Sequence, residues 1–239
     1  APNMDMLIQP SYIQDRGSQM EASFRYLENE FYGDTHISYL GDDSEYLDDR
    51  YKILVNHKHN FTNNLSANIH YVKISDKDYL DDFGAGIAGV SKTYGSRHIN
   101  AIYQVNDWNI KGEFLGYQTY DKDIASESEP YDILPKITLN KRWNKDIASF
   151  DVLTTIAKWD HEYETKVDGT RADIQFGIDR TFLMKGIEIT PRLKLQHTHY
   201  DLDNQTAGLS SSPSKTIPIL SLNSEMVFSK KIQGTNLAH

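Results

Sequence analysis

Two histidine pairs, His57 with His59 and His197 with His199, stand two residues apart, so each pair shares one face of any strand that carries it. That is half of a metal site. No glutamate or third histidine stands at a spacing that completes either set, and neither a metal nor a cofactor is expected. His161 and Glu162 sit together in an acidic stretch. Carboxylates are plentiful and gather in the polar joins, as Asp42, Asp43, Asp48 and Asp49 and then Asp76, Asp78, Asp81 and Asp82. Pairs such as Asp42–Asp43 and Asp81–Asp82 read as solvated charge, because glycosidase chemistry needs a cleft and one carboxyl held protonated. Ser38, Ser66 and Ser221 have no adjacent acid–histidine arrangement to make a nucleophile. There is no glycine-rich phosphate loop, and with no cysteine the chain has no thiol catalysis, disulfide or cysteine metal site. These residues point away from an enzyme.

The elements that carry them are defined by period two. Ile53, Val55 and His57 alternate with Lys52, Leu54, Asn56 and Lys58, and Phe150, Val152, Thr154 and Ile156 alternate with Asp151, Leu153 and Thr155. Such segments have one greasy face and one wetter face. About twelve recur, near 3–13, 18–28, 33–41, 51–60, 65–75, 97–106, 108–119, 132–143, 147–159, 171–182, 186–200 and 216–230. They average about 11 residues, which suits membrane strands of roughly 9–11 better than soluble strands of about 5–6. The predicted fold class is all-β, an antiparallel transmembrane β-barrel with a polar lumen.

Composition agrees. Hydrophobic residues make up 38% and mean hydropathy is −0.59, values compatible with a barrel in which only alternate residues face lipid. No apolar run approaches the ~20 residues of a transmembrane helix. Tyrosine, at 15 against 9 Phe and 3 Trp, suits strands and the headgroup level. The net charge of −9 and the lack of a basic stripe argue against nucleic acid. No signal peptide precedes the first strand, so the chain is read as mature or as a piece of something longer.

Turn chemistry sets the connections. Asp15-Arg16-Gly17, Asn29 to Tyr32, Thr62-Asn63-Asn64, Asn106-Asp107 and Asn144-Lys145-Asp146 read as tight turns. Longer polar joins are expected at 42–50, 76–96, 120–131, 160–170 and 201–215, largely alternating with the short ones, as on the two rims of a membrane barrel. Within 76–96, Tyr79, Leu80 and Phe83 can form a helical turn, Gly84, Gly86 and Gly89 loosen the stretch after it, and Val90 to Tyr94 can add a short strand. Five prolines stand in or next to the predicted strands. Pro2 and Pro10 fall at the first, where a missing N–H fits an edge or a weak seam, while Pro135, Pro191 and Pro218 fit bulges or strand starts.

Several blocks then resemble the outer-membrane LPS-assembly family LptD, also called the organic-solvent-tolerance family. They are Ala1-Pro2-Asn3-Met4-Asp5 with Ile8-Gln9-Pro10-Ser11-Tyr12; Asp15-Arg16-Gly17 with Glu21 to Leu27; Ser38-Tyr39-Leu40 with Asp48-Asp49-Arg50-Tyr51; Val72 to Gly84; Leu134-Pro135-Lys136-Ile137 with Thr190-Pro191-Arg192-Leu193; and Ile217 to Ser224 with Val227-Phe228. The Asp78-Tyr79-Leu80-Asp81-Asp82-Phe83-Gly84 stretch is the most specific, and the likeness runs over the whole chain. The resemblance implies a barrel of about 26 strands in the cell outer membrane. It also implies a preceding periplasmic jellyroll, a plug lipoprotein (LptE) in the lumen, a periplasmic bridge protein that delivers lipopolysaccharide, and release of that lipid through a seam between first and last strands. Residues 1–239 would then be a partial barrel domain, without the jellyroll and about half the strands. Pro2 and Pro10 become lateral-gate candidates, and Asn68, His70 and Lys73 candidates for facing the lumen or plug. The acidic rim could take divalent cations beside lipopolysaccharide phosphates. Two other functions compete: a general porin or channel, which needs no opening seam, and a soluble β-rich binding module, which needs a tight core and no outward apolar band.

Overall fold

The computed structural model describes residues 2–84 and 93–226. Its strands are β1 (Met4–Ile13), β2 (Gly17–Leu27), β3 (Phe31–Asp43), β4 (Asp48–Thr62), β5 (Leu65–Ile74), β6 (Tyr94–Val105), β7 (Trp108–Thr119), β8 (Asp132–Asn144), β9 (Ser149–Asp160), β10 (Asp168–Asp179), β11 (Phe182–Met184), β12 (Ile187–Asp203) and β13 (Ser214–Met226); a short helix, α1 (Tyr79–Phe83), lies between β5 and β6. They form one 13-stranded antiparallel sheet that follows chain order, a meander with β1 and β13 as free edges among the described residues.

All the expected strands are present. The tenth is broken: pairing with β12 stops at Asp179 and resumes as β11 opposite Ile187–Ile189. Pro191 lies across from the break, where it has no N–H to offer, and the Arg180 N–H reaches the Pro191 carbonyl at 3.4 Å. Pro135 sits in the register shift between Ile133 and Lys136, a bulge. The join expected at 42–50 is shorter than predicted, because β3 runs to Asp43 and β4 begins at Asp48. Val90 to Lys92 of the suggested short strand, Gly86, Gly89, Ala1 and the end of the last strand, with Val227 and Phe228, lie outside the described residues.

One rim carries the tight connections. At Asn106 and Asp107 both φ angles are positive, 47° and 66°, the geometry of a two-residue hairpin whose twist matches its strands. The opposite rim carries the longer joins after β5, β7, β9 and β12.

The register separates two faces. Met6, Phe24, Thr35, Val55 and Tyr71 align across β1 to β5, and Ile69, Ile99 and Phe114 continue across β5 to β7. Large apolar side chains on this face are solvent-exposed: Met6, Ile8, Ile37, Ile99, Phe114, Phe176, Leu193, Leu195 and Leu220. The other face is mostly polar, with Ser23, His36, Asn56, His70, Asn100, Glu113 and Thr155 along its rows. A soluble sheet buries its apolar face and wets its polar one. Here the exposed face is the apolar one, and the small buried cluster of Leu54, Val72, Ile74, Tyr79, Leu80 and Tyr120 forms where α1 folds back at the long-join rim.

Candidate functional site

Arg50 is the organising residue at that rim. Register places it on β4 opposite Leu40, on the polar face, and its side chain is fully buried. A buried guanidinium needs its donors met. Asp76 takes two, from Nε to Oδ2 at 3.0 Å and from Nη2 to Oδ1 at 2.7 Å, the forked geometry that suits Arg and carboxylate. Nη1 reaches Asp82 and lies 3.5 Å from Asp43. The rings of Tyr46 and Phe83 lie 4.4 and 4.8 Å from the guanidinium carbon, within cation–π range.

Arg16, in the turn between β1 and β2, meets the same acids. Its Nη1 is 3.0 Å from Asp43 and 3.1 Å from Asp82, its Nε is 2.6 Å from Glu45, and its guanidinium carbon lies 5.2 Å from the Phe83 ring. Two arginines thus share two carboxylates and one aromatic ring. The hydrogen bond from Arg50 holds the Asp82 carboxyl below the usual range, with Arg16 adding to the effect.

These contacts pin α1 against the polar face. The Tyr79 hydroxyl donates to Ser38 Oγ at 3.0 Å, and burial raises the Tyr79 phenol pKa. Asp78 is bridged to Lys122, and Lys77 Nζ lies 3.0 Å from Glu129, which ties this join to the one after β7. Gly95 makes room: a Cβ there would collide with the Tyr120 hydroxyl, whose pKa burial pushes up to about 12. Asp43 and Asp82, read from sequence as solvated rim charge, are instead arginine ligands, and Asp43 is fully buried. The register that brings these acids to Arg16 and Arg50 is not visible in the chain. Acids already occupied by arginine are poor cation ligands, and no cluster of three or more metal-binding side chains occurs among the described residues.

The family described as LPS transport system D, LptD, matches residues 48–238. The chain belongs to the LptD family. The LPS-assembly protein LptD of Nitrosococcus oceani is 30% identical over 234 residues, covering 97% of this chain and 32% of that protein. That of Hahella chejuensis is 27% identical over 246 residues, covering 97% and 31%. The chain therefore spans about a third of the length of these relatives. A solved structure of OmpTdeltaL8, a loop-deletion mutant of an outer membrane protein of Vibrio cholerae, is matched over 95% of this chain and 86% of its own at TM-score 0.40 and 7% identity.

On this LptD sheet the gate candidates fall at the free edge. Pro2 precedes β1 and Pro10 lies within it, opposite Met20. The Leu27 N–H bonds to the Asn3 carbonyl at 2.8 Å. This sets the odd-numbered residues of β1 as the ones that bond to β2, and an even-numbered residue such as Pro10 has its amide position turned away, toward the open edge. Asn68 and His70 share the polar face. Asn68 donates to Asn100 at 3.1 Å, and His70 Nδ1 lies 2.7 Å from Asn56 Oδ1, which continues through Asn56 to Asp34 at 3.0 Å. Lys73 separates from them. An odd step along a strand changes face, and Lys73 stands on the apolar face opposite Ile53 with its ammonium 5.8 Å from the Tyr51 ring. His57 and His59 belong to an aromatic group with Tyr26, Phe31 and Phe61, and His197 pairs with Thr216. His161 is buried in the join after β9, its Nε2 2.9 Å from the Glu129 carbonyl oxygen.

Proposed function

We propose that this chain is the first part of an outer-membrane barrel wall that moves lipopolysaccharide to the outer leaflet by parting laterally beside β1. The observation that carries the reading is the pairing of an exposed apolar face with a strand, β1, whose Pro10 turns its missing N–H away from β2. Lipid covers the apolar face, the polar face lines the lumen, and the tight-turn rim faces the periplasm, as in other barrels of this kind. Membership of the LptD family and the name of its relatives, LPS-assembly protein, support lipopolysaccharide as the transported lipid.

The wall's work is non-covalent. A closed barrel has no edge, because each unpaired backbone group is costly in lipid. A seam with fewer ladder bonds costs less to part, and a proline removes one donor permanently. The sugar portion passes along the hydrogen-bonding lumen while the acyl chains move out between the first and last strands. A plug lipoprotein would meet polar-face residues such as Asn68 and His70, and a periplasmic bridge protein would deliver lipid from the tight-turn side.

The test is Pro10→Ala in the full-length protein. The restored N–H should tighten the seam and slow the arrival of new lipopolysaccharide at the cell surface. An unchanged rate at equal protein level would count against Pro10 as a gate residue.

A further inference from the structure

We infer that Arg16 is a positioning residue that couples the edge hairpin β1–β2 to the lumen-facing helix α1, so that the two elements loosen together. The inference rests on the reading of β1 as the moving edge of the barrel.

The connection is short and specific. Arg16 sits at the tip of the edge hairpin, outside the strands themselves. Its side chain reaches across β3 to α1, where Asp82 lies 3.1 Å away and the Phe83 ring 5.2 Å away. Phe83 has a second guanidinium, that of Arg50, 4.8 Å from its ring, and Asp82 also contacts Arg50. One end of α1 is thus held between an arginine fixed in the wall and an arginine carried by the edge hairpin. A further tie at this rim runs from the Ser44 N–H to the Arg16 carbonyl at 3.0 Å, and Asp43 and Glu45 flank the Arg16 side chain at 3.0 and 2.6 Å. The ladder to β2 is β1's one strand pairing among the described residues. In the closed barrel β1 forms one side of the seam, where Pro10 leaves out a ladder bond, and such a strand opens locally more readily than an interior one, so a tether at the tip has a large influence on it. Material that pushed α1 from the lumen wall would remove the Asp82 and Phe83 contacts from Arg16, and a hairpin that swung outward would draw them off α1.

The experiment is hydrogen–deuterium exchange on the full-length protein, comparing wild type with Asp82→Asn and, separately, Arg16→Gln. Asp82 lies on α1, and its contact with Arg16 is the link to the edge hairpin. Coupling predicts that Asp82→Asn speeds exchange in peptides from 4–27 as well as 75–84, by about threefold to fivefold for a partly exposed pair, while peptides from 149–179 stay unchanged. Arg16→Gln should give the same pattern from the other side. If Asp82→Asn speeds exchange throughout, Arg16→Gln decides by the same criterion. A rise confined to 75–84 with Asp82→Asn, or confined to 4–27 with Arg16→Gln, overturns the coupling. Exchange needs no lipopolysaccharide, so a failed coupling leaves the transport reading standing, and a failed transport assay leaves the coupling measurable.

Discussion

Arg50 and Asp76 meet in a two-point contact, Nη2 to Oδ1 at 2.7 Å and Nε to Oδ2 at 3.0 Å, with the arginine shielded from solvent. The pair joins the start of β4 to the segment leading into α1, and it explains why a helix of one turn holds its place on a polar wall. Removing Arg50 strands its partners unequally: Arg50→Ala leaves Asp76 without its arginine, and Asp43 and Asp82 with Arg16 alone. A loss of about 3–5 kcal/mol is expected, read as a lower midpoint in thermal unfolding of the full-length protein in detergent.

Acid should release α1 before it unfolds the sheet. Asp82 has a folded pKa below its ordinary value because Arg50, and then Arg16, bond its charged form. A depressed carboxyl contributes stability that is present above its unfolded value, about 3.9, and is lost as pH falls through the folded one. Arg16, Arg50, Asp43, Asp76 and Glu45 are the charged neighbours, and the arginines stay protonated throughout. Pepsin should therefore cut within 75–84 faster at about pH 3 than at about pH 5, beyond its own change in activity on an unfolded control.

The two faces make opposite predictions on neighbouring residues of β6. Ile99 lies on the exposed apolar face and Asn100 on the polar one, bonded to Asn68. Ile99→Lys should cost about 2–4 kcal/mol in a bilayer near its midplane and lower the yield of folded protein in the outer membrane. Asn100→Lys should be tolerated. Equal tolerance at both positions would point to a soluble module.

Close packing at the rim gives a further stability test. Gly95→Ala drives a methyl into the Tyr120 ring as well as its hydroxyl. Tyr120 belongs to the cluster with Leu54, Val72, Ile74, Tyr79 and Leu80, so overpacking should cost about 1–3 kcal/mol. Thermal unfolding of the variant beside wild type measures it.

Period-two alternation made the strands legible because it is a local property, carried by neighbouring residues such as Ile53, Val55 and His57. The hairpins were legible for the same reason, since Asn106-Asp107 carries its own turn chemistry. Even the helical turn at Tyr79 to Phe83 showed in the spacing of its apolar residues. The break after Asp179 did not, because it depends on Pro191 in a different strand. The arginine cluster was equally hidden. Arg16, Asp43, Arg50, Asp76 and Asp82 lie far apart in the chain and meet through the register of β3 and β4 and the return of α1. Lys73 was grouped with Asn68 and His70 by proximity, although parity along β5 puts it on the other face.

The most direct test of the lateral path locks the seam. One cysteine replaces Ser11 in β1 and another is placed in the last barrel strand of the full-length protein, and oxidation joins them in intact cells. With the seam closed, newly made lipopolysaccharide should stop reaching the surface, and reductant should restore it. Undiminished arrival behind a completely cross-linked seam would contradict lateral release beside β1.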